Sequence, residues 1–285
     1  MSFMSNLARK SNESVNLIGA GRMWAVVTGA SQGLGRALCD ECARRGLNIV
    51  LVALPGQGLE QTAHEISERY EVRTDFCETD LTAPGGPEAL AQWIWDTGYD
   101  ISVLINNAGV GYNRRFEDST LRENEVCILL NNLALVKLTR LMLPQLRRHP
   151  QARVLNVASM AAFFPMPFMP VYAPSKAFIL NFSLALRAEL SGSPVSVSVL
   201  CPNGIRTNQD AIAKIEQGGL AARLTCMNPD QVAAIAIRGM LARKAVIVPG
   251  RLNQCVVAAS RFVPRAAIYG VISLFWGRTA RPASA

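Results

Sequence analysis

Histidine is nearly absent: the 285-residue chain holds two, His64 and His149. So few imidazoles argue against a histidine-rich metal site and against a Ser-His-Asp hydrolase. Charge is also scarce. Asp, Glu, Lys and Arg make up 18% of the residues and apolar residues 50%, which excludes global disorder and supplies a sizeable core. No uncharged apolar run reaches the roughly 18 residues of a membrane-spanning helix. The amino-terminal MSFMSNLARKSNES lacks the apolar centre of a secretory signal. Acids are missing from residues 251–285, which carry five Arg. That segment accounts for +5 of the formal net charge of +8 and residues 1–23 for +2, leaving the body of the chain close to neutral. A nucleic-acid binder carries its basic stripe on the folded body, so no nucleic-acid partner is expected. The seven cysteines are odd in number and scattered, and Cys127 and Cys201 sit inside apolar runs. This pattern fits a reducing compartment rather than a disulfide framework and gives the expectation of a cytoplasmic protein. Cys39 and Cys42 form a CxxC within a helical pattern, where two small buried hydrophobes are the expected reading.

What is present is a regular alternation of short apolar runs and longer helical patterns. Strands are expected at 24–27, 48–53, 72–77, 101–106, 152–159, 195–201 and 245–249. Helices are expected at about 34–45, 57–70, 87–96, 119–148, 172–190 and 229–243. Runs such as ISVLI and VSVSVL are apolar on both faces, as in a parallel sheet covered by helices on both sides. The expectation is an α/β fold: a single domain with a doubly wound parallel sheet of seven strands. No linker or repeat interrupts it. Residues 1–22 read as an amino-terminal extension, 23–250 as the domain and 251–285 as an apolar, basic extension. The longest uncharged run of that tail, Ala266 to Gly277, is too short to span a bilayer. It is suited to packing on the core or a subunit, or to peripheral membrane contact.

Three elements carry chemistry. The first strand runs into Thr28-Gly29-Ala30-Ser31-Gln32-Gly33-Leu34-Gly35. Small residues there let backbone N–H groups approach a phosphate, and the helix that follows adds its positive end. The fourth strand ends in Asn106-Asn107-Ala108-Gly109, at the edge of the sheet where ligands of open parallel sheets bind. Tyr172 and Lys176 fall at i and i+4 near a helix start, on one face of the helix. An ammonium beside a phenol favours the phenolate and lowers a pKa that is otherwise near 10. Ser159, thirteen residues upstream of Tyr172, lies at the end of the fifth strand.

Taken together these segments resemble the short-chain dehydrogenase/reductase family, in its ketoacyl- and steroid-reductase-like branch, with a Rossmann-type fold. The resemblance covers about residues 22–250. It rests on TGASQGLG (28–35), Asp80-Leu81, NNAG (106–109), Asn131, Ser159, YAPSK (172–176) and CPNGIRT (201–207). It implies an NAD(P)(H)-dependent oxidoreductase that interconverts a ketone and a secondary alcohol. Tyr172 would be the general acid or base, and Lys176 would depress its pKa and hold the nicotinamide ribose. Ser159 would position the carbonyl, and Asn131 would keep a water of a proton relay. Gly29, Ser31, Gln32, Gly33, Leu34, Gly35, Asp80, Leu81, Asn107, Ala108, Gly109, Ile205 and Thr207 would bind the cofactor together with Tyr172 and Lys176, Asp80 through the adenine. No metal is implied. A homodimer or homotetramer is implied, through the helices 119–148 and 172–190.

Two departures from the family pattern stand out. The second strand ends in Ala53-Leu54-Pro55-Gly56, without an acid for a ribose 2′-OH or an Arg for a 2′-phosphate. The missing acid and the nearby Arg36 favour NADP(H) over NAD(H). The sixth strand is followed by Pro202-Asn203-Gly204, with the glycine displaced by one. The segment 160–170 holds three Phe and three Met; if it lines the site, the substrate is a hydrophobic ketone or alcohol. Residues 208–227 would form a lid. The competing reading is a non-catalytic NAD(P)-sensing protein on the same fold, which typically loses the Tyr or the Lys; here both are present.

Overall fold

In a computed structural model, described over residues 23–206 and 225–260 and a few positions from 262 to 270, the chain builds one parallel sheet. Its strands are β1 (Met23–Thr28), β2 (Asn48–Ala53), β3 (Thr74–Glu78), β4 (Asp100–Asn106), β5 (Arg153–Val157), β6 (Ser196–Leu200) and β7 (Val246–Ile247). They stand in the order β3-β2-β1-β4-β5-β6-β7. Every pairing is parallel. The order reverses between β1 and β4, and the carboxyl ends of both strands reach the same edge. The seven-stranded doubly wound fold expected from the apolar pattern is therefore the observed one.

Strand alternation divides the core in two. Ala25 and Val27 face one layer of helices, whereas Trp24 and Val26 face the other. The first layer holds α1 (Gly33–Ala43), α2 (Leu59–Tyr70) and α7 (Pro229–Leu241). The second holds α3 (Gly86–Thr97), α5 (Leu135–Leu146) and α6 (Tyr172–Glu189). Cys39 and Cys42 are fully buried in the first core, and burial pushes the Cys42 thiol up to about 12, so the CxxC is packing and not redox chemistry.

The helix expected as one piece over 119–148 is interrupted. A capping box of Thr120 and Glu123 opens α4 (Leu121–Ile128), a π-helical stretch covers Leu129–Ala134, and α5 continues to Leu146. The π-stretch coincides with Asn131, whose carboxamide is bound to the backbone of Val110. The 26 residues from Leu121 to Leu146 are long and apolar enough, by composition, to cross a membrane; Leu135, Leu138, Met142 and Leu146 nevertheless lie in the core. β7 is reduced to two residues, and β5 stops two residues before Ser159. Beyond β7, α8 (Arg251–Ser260) is tied down by buried Asn253, which donates to the carbonyls of Thr225 and Pro249. Thr207, most of the expected lid and most of the tail lie outside the described residues.

Candidate active site

The Gly-rich turn is shaped by a close approach. A Cβ on Gly35 would stand 1.8 Å from the Gly29 carbonyl oxygen, so α1 begins against the backbone of the turn. Asn107 holds the other side: its amide donates to the carbonyls of Thr28 (2.8 Å) and Gly29 (3.1 Å). Thr28 Oγ1 in return accepts the backbone N–H groups of Asn107 and Ala108, each at 3.0 Å. Four hydrogen bonds thus weld the end of β4 to the turn after β1. Thr28, a member of the motif, carries this joint although its role was not assigned from the sequence.

Between these elements runs a groove of about 530 Å³. It is lined by Gly29, Ser31, Gln32, Gly33, Leu34 and Gly35, by Asp80 and Leu81, and by Asn107, Ala108 and Gly109. Of the residues expected to bind a cofactor, these eleven meet in one place. Asp80 accepts hydrogen bonds from the hydroxyl and the backbone N–H of Thr82, which hold its carboxylate below the ordinary range. Gln57, whose side chain accepts from Ser31 Oγ at 2.8 Å, and Arg122 also line the groove and were not read from the sequence. Neither has a motif: Gln57 sits in a loop, and Arg122 is one more charge on a helix surface.

Arg36 does not reach the groove. Its guanidinium lies 3.0 Å from Glu65 and 3.4 Å from Asp40, so it offers no cation to a 2′-phosphate and that support for NADP(H) is withdrawn. The remaining support, a groove whose one lining acid is Asp80 rather than a residue at the end of β2, is unchanged.

The groove opens into a second cavity of about 690 Å³, sharing Leu34, Asn107, Gly109 and Val110 with it. Ser159, Tyr172, Lys176 and Ile205 line this cavity. Ser159 caps a single 3-10 turn (Met160–Phe163), its Oγ accepting the Ala161 N–H at 3.1 Å, which leaves its own proton available to Tyr172. The Tyr172 ring lies on Gly111, where a Cβ would come within 2.4 Å of it. Burial pushes the Tyr172 phenol up, and a hydrogen bond with Ser159 partly offsets this. Lys176 is buried, with Nζ 5.7 Å from the Tyr172 ring centroid and bonded to the Val157 carbonyl at 3.0 Å. Burial pulls its ammonium down to about 8. Desolvation is thus the largest influence on the phenol.

Asn131 is fully buried beneath this pair. Its Nδ2 donates to the Val110 carbonyl and to Ser175 Oγ, both at 2.9 Å, and Ser175 Oγ donates to the Tyr172 carbonyl at 2.7 Å. Asn132 instead bonds the Ser175 carbonyl at 2.8 Å. The Asn131 side chain is therefore committed to protein groups, and its direct effect is to fix the start of α6. Ser175 and Cys127, which complete this cluster, were not read from the sequence. The rim is held by Phe168, at φ 64, whose carbonyl accepts the Arg114 N–H at 2.8 Å. A non-glycine residue in that conformation costs on the order of 1 kcal/mol and persists where its surroundings fix it.

A dinucleotide-sized groove at the switch point of a doubly wound sheet, joined to a cavity with a buried Tyr–Lys pair, defines a class: a nucleotide-linked α/β oxidoreductase. The chain belongs to the short-chain dehydrogenase/reductase family, for the sequence profile described as short chain dehydrogenase matches residues 23–217. Among similar proteins is the very-long-chain 3-oxoacyl-CoA reductase of Bos taurus, 33% identical over 198 residues, or 68% of this chain and 62% of the relative. Another is the 17-beta-hydroxysteroid dehydrogenase type 3 of Homo sapiens, 33% identical over 186 residues, or 65% of this chain and 59% of the relative. The match therefore spans about three fifths of these relatives' length. A solved short-chain dehydrogenase from Sphingobium yanoikuyae, in complex with NADPH, superposes with a TM-score of 0.72 at 28% identity, covering 92% of this chain and 98% of that one.

These relatives overturn the cytoplasmic expectation. Their names attach them to very-long-chain acyl groups and steroids, which partition into membranes rather than water. The cysteine pattern on which the expectation rested reports only a reducing environment, and a membrane surface facing such an environment meets the same condition.

Proposed function

We propose that the chain is an NAD(P)(H)-dependent oxidoreductase acting on CH–OH donors, interconverting a hydrophobic ketone and a secondary alcohol, with Tyr172 as general acid and base. The observation that carries this reading is the meeting of Ser159, Tyr172 and Lys176 in one cavity continuous with the Gly-rich groove. The groove fits a dinucleotide: Gly35, which has no room for a side chain against the Gly29 carbonyl, lets α1 start at the groove, and α1 opens without an acid in its first turn or a side-chain cap. Ser31, Gln32, Asp80 and Asn107 to Gly109 would hold that cofactor, which when bound supplies or accepts the hydride. Thr207 is proposed at the same site from the resemblance alone.

In the reducing direction the Tyr172 phenol gives its proton to the carbonyl oxygen, and Ser159 donates a hydrogen bond to the same oxygen. Lys176, still mostly charged at neutral pH, stabilises the phenolate left behind. In the oxidising direction Tyr172 accepts the hydroxyl proton. Asn131 is proposed from the resemblance to keep a water of the proton relay, and together with Ser175 it positions the backbone of α6.

NADP(H) is favoured over NAD(H) because no acid at the end of β2 lines the groove to repel a 2′-phosphate, and Ser31 and Gln57 offer neutral polar groups there. A homodimer or homotetramer is supported by exposed Ile128 and Leu133 on one helical stretch and Phe178 and Leu184 on α6. A peripheral contact of the tail with membranes is supported by its basic, apolar composition.

Tyr172→Phe is the direct test. It is expected to lower kcat by about 10²–10⁴-fold, the usual worth of a positioned proton donor. Binding of NADPH, followed by its fluorescence, is expected to persist, because the Gly-rich turn, Asp80 and Asn107 to Gly109 are untouched. Turnover at the parent rate would remove Tyr172 from the assigned role, and tighter binding of NADH than NADPH would reverse the cofactor preference.

A further inference from the structure

The departure at Pro202-Asn203-Gly204 has a partner in the carboxy-terminal helix. Asn203 stands where a glycine would offer no side chain, and its amide donates to the side-chain oxygen of Asn253 on α8 at 3.3 Å. Asn253 is 1% exposed. Its own amide donates one hydrogen to the Thr225 carbonyl at 3.0 Å and one to the Pro249 carbonyl at 2.8 Å. Both donors of this carboxamide are therefore used within the protein, and its oxygen serves Asn203. Buried polar groups are retained where they are paired, and here the pairing requires three chain segments at once: the loop after β6, Thr225 and the end of β7. Gly250 makes the room. Its φ is 88, and a Cβ there would stand 3.1 Å from the Asn253 amide nitrogen.

Asn203 also lines the cavity that holds Ser159, Tyr172 and Lys176, together with Pro202, Gly204 and Ile205. Both ends of this loop are fixed by backbone bonds. The Pro202 carbonyl accepts the N–H of Met160, the residue after Ser159, at 2.8 Å. At the other end the Met227 N–H donates to the Gly204 carbonyl and the Arg206 N–H to the Met227 carbonyl, each at 3.2 Å. A continuous path of bonds thus leads from α8 through Asn253, Asn203 and Pro202 to the turn that carries Ser159.

We propose that Asn203 and Asn253 are positioning residues for the carbonyl reaction. Their bond sets the path of residues 202–206 along the cavity wall, and it makes α8 part of the device that places the substrate carbonyl against Ser159 and Tyr172. The inference rests on the carbonyl-reductase reading above and adds to it two residues that touch no reacting atom.

The test uses the full chain with Asn203→Ala, Asn253→Ala and the double variant. A steroid ketone and a long-chain 3-oxoacyl thioester are the probes, and the one that the parent reduces faster is followed. Each single variant is expected to lose about ten- to a hundredfold in kcat, the scale of a small misplacement of a bound reactant, with KM for the ketone within about threefold of the parent. The double variant is expected to lose no more than the worse single one, because both remove the same bond. Asn203→Gln, which keeps the donor on a longer arm, is expected to recover part of the rate. Hydrogen exchange reads the same path without cofactor or substrate: the Met160 amide is expected to exchange about tenfold faster in Asn203→Ala and in Asn253→Ala. Losses that multiply in the double variant, a parent-like kcat in Asn203→Ala, or unchanged exchange at Met160 would overturn the proposal. Should Asn253→Ala not fold, Asn203→Ala and Asn203→Gln decide it alone, by kcat and by exchange at Met160. A parent that reduces neither probe would refute the oxidoreductase reading instead, and exchange at Met160 would still decide the link from α8 to the Ser159 turn.

Discussion

Lys176 is a cation held where water is scarce. Its ammonium is pulled from 10.5 to about 8 by burial, which means the fold bears the cost of the charge at and below neutral pH. Between about 8 and 10.5 the unfolded chain binds more protons than the folded one, so this group adds stability as the pH rises through that window and its penalty is fully present below it. Lys176→Met is therefore expected to unfold at a higher temperature than the parent at pH 7, while losing turnover. The difference in melting temperature is expected to shrink between pH 8 and 10.5; a gap that stays constant would mean the lysine is not strained by its charge. Tyr172 and Lys176 were legible in the sequence because they share a helix face. The prevailing influence on the phenol was not, since desolvation depends on the packing of Gly111 and the 160–170 segment around it. Asn131, too, was legible as a position, but its partners Val110 and Ser175 lie 21 and 44 residues away.

At the scale of elements, the turn after β1 is defined by what cannot fit. Gly35→Ala would place a methyl group 1.8 Å from the Gly29 carbonyl oxygen, and a backbone atom cannot swing away as a side-chain end can. Overpacking of this kind costs typically about 1–3 kcal/mol. The expected result is a lower melting temperature and a loss of NADPH binding of tenfold or more on the order of that energy, read by fluorescence titration. Unchanged binding would show that the turn does not shape the groove. The sequence pattern gave every strand within two or three residues at each end, because strands buried on both faces are plainly apolar. It did not give the π-stretch at Leu129–Ala134, which coincides with the bond of Asn131 to Val110, a tertiary contact that local periodicity does not report.

For the whole molecule, β1, β4 and β5 end on one edge, and that places residues 28–35, 106–109 and 159–176 together although well over a hundred positions separate them. The exposed apolar residues Ile128, Leu133, Phe178 and Leu184 belong to the helices proposed as the subunit contact. Light scattering on a size-exclusion column is expected to give a dimer or tetramer, and Leu133→Lys with Phe178→Glu is expected to yield monomer that still binds NADPH. A parent chain that runs as a monomer would end that proposal. The order of strands and helices along the chain was determined by the sequence alone, because hydrophobic periodicity is a local property, as is the i, i+4 spacing that puts Tyr172 and Lys176 on one helix face. Which charges remain free was decided only by the tertiary structure: beyond the i,i+4 contact of Arg36 with Asp40 on its own helix, Arg36 is engaged by Glu65 and Arg114 by Glu123, pairings that link separate segments and follow from packing rather than spacing.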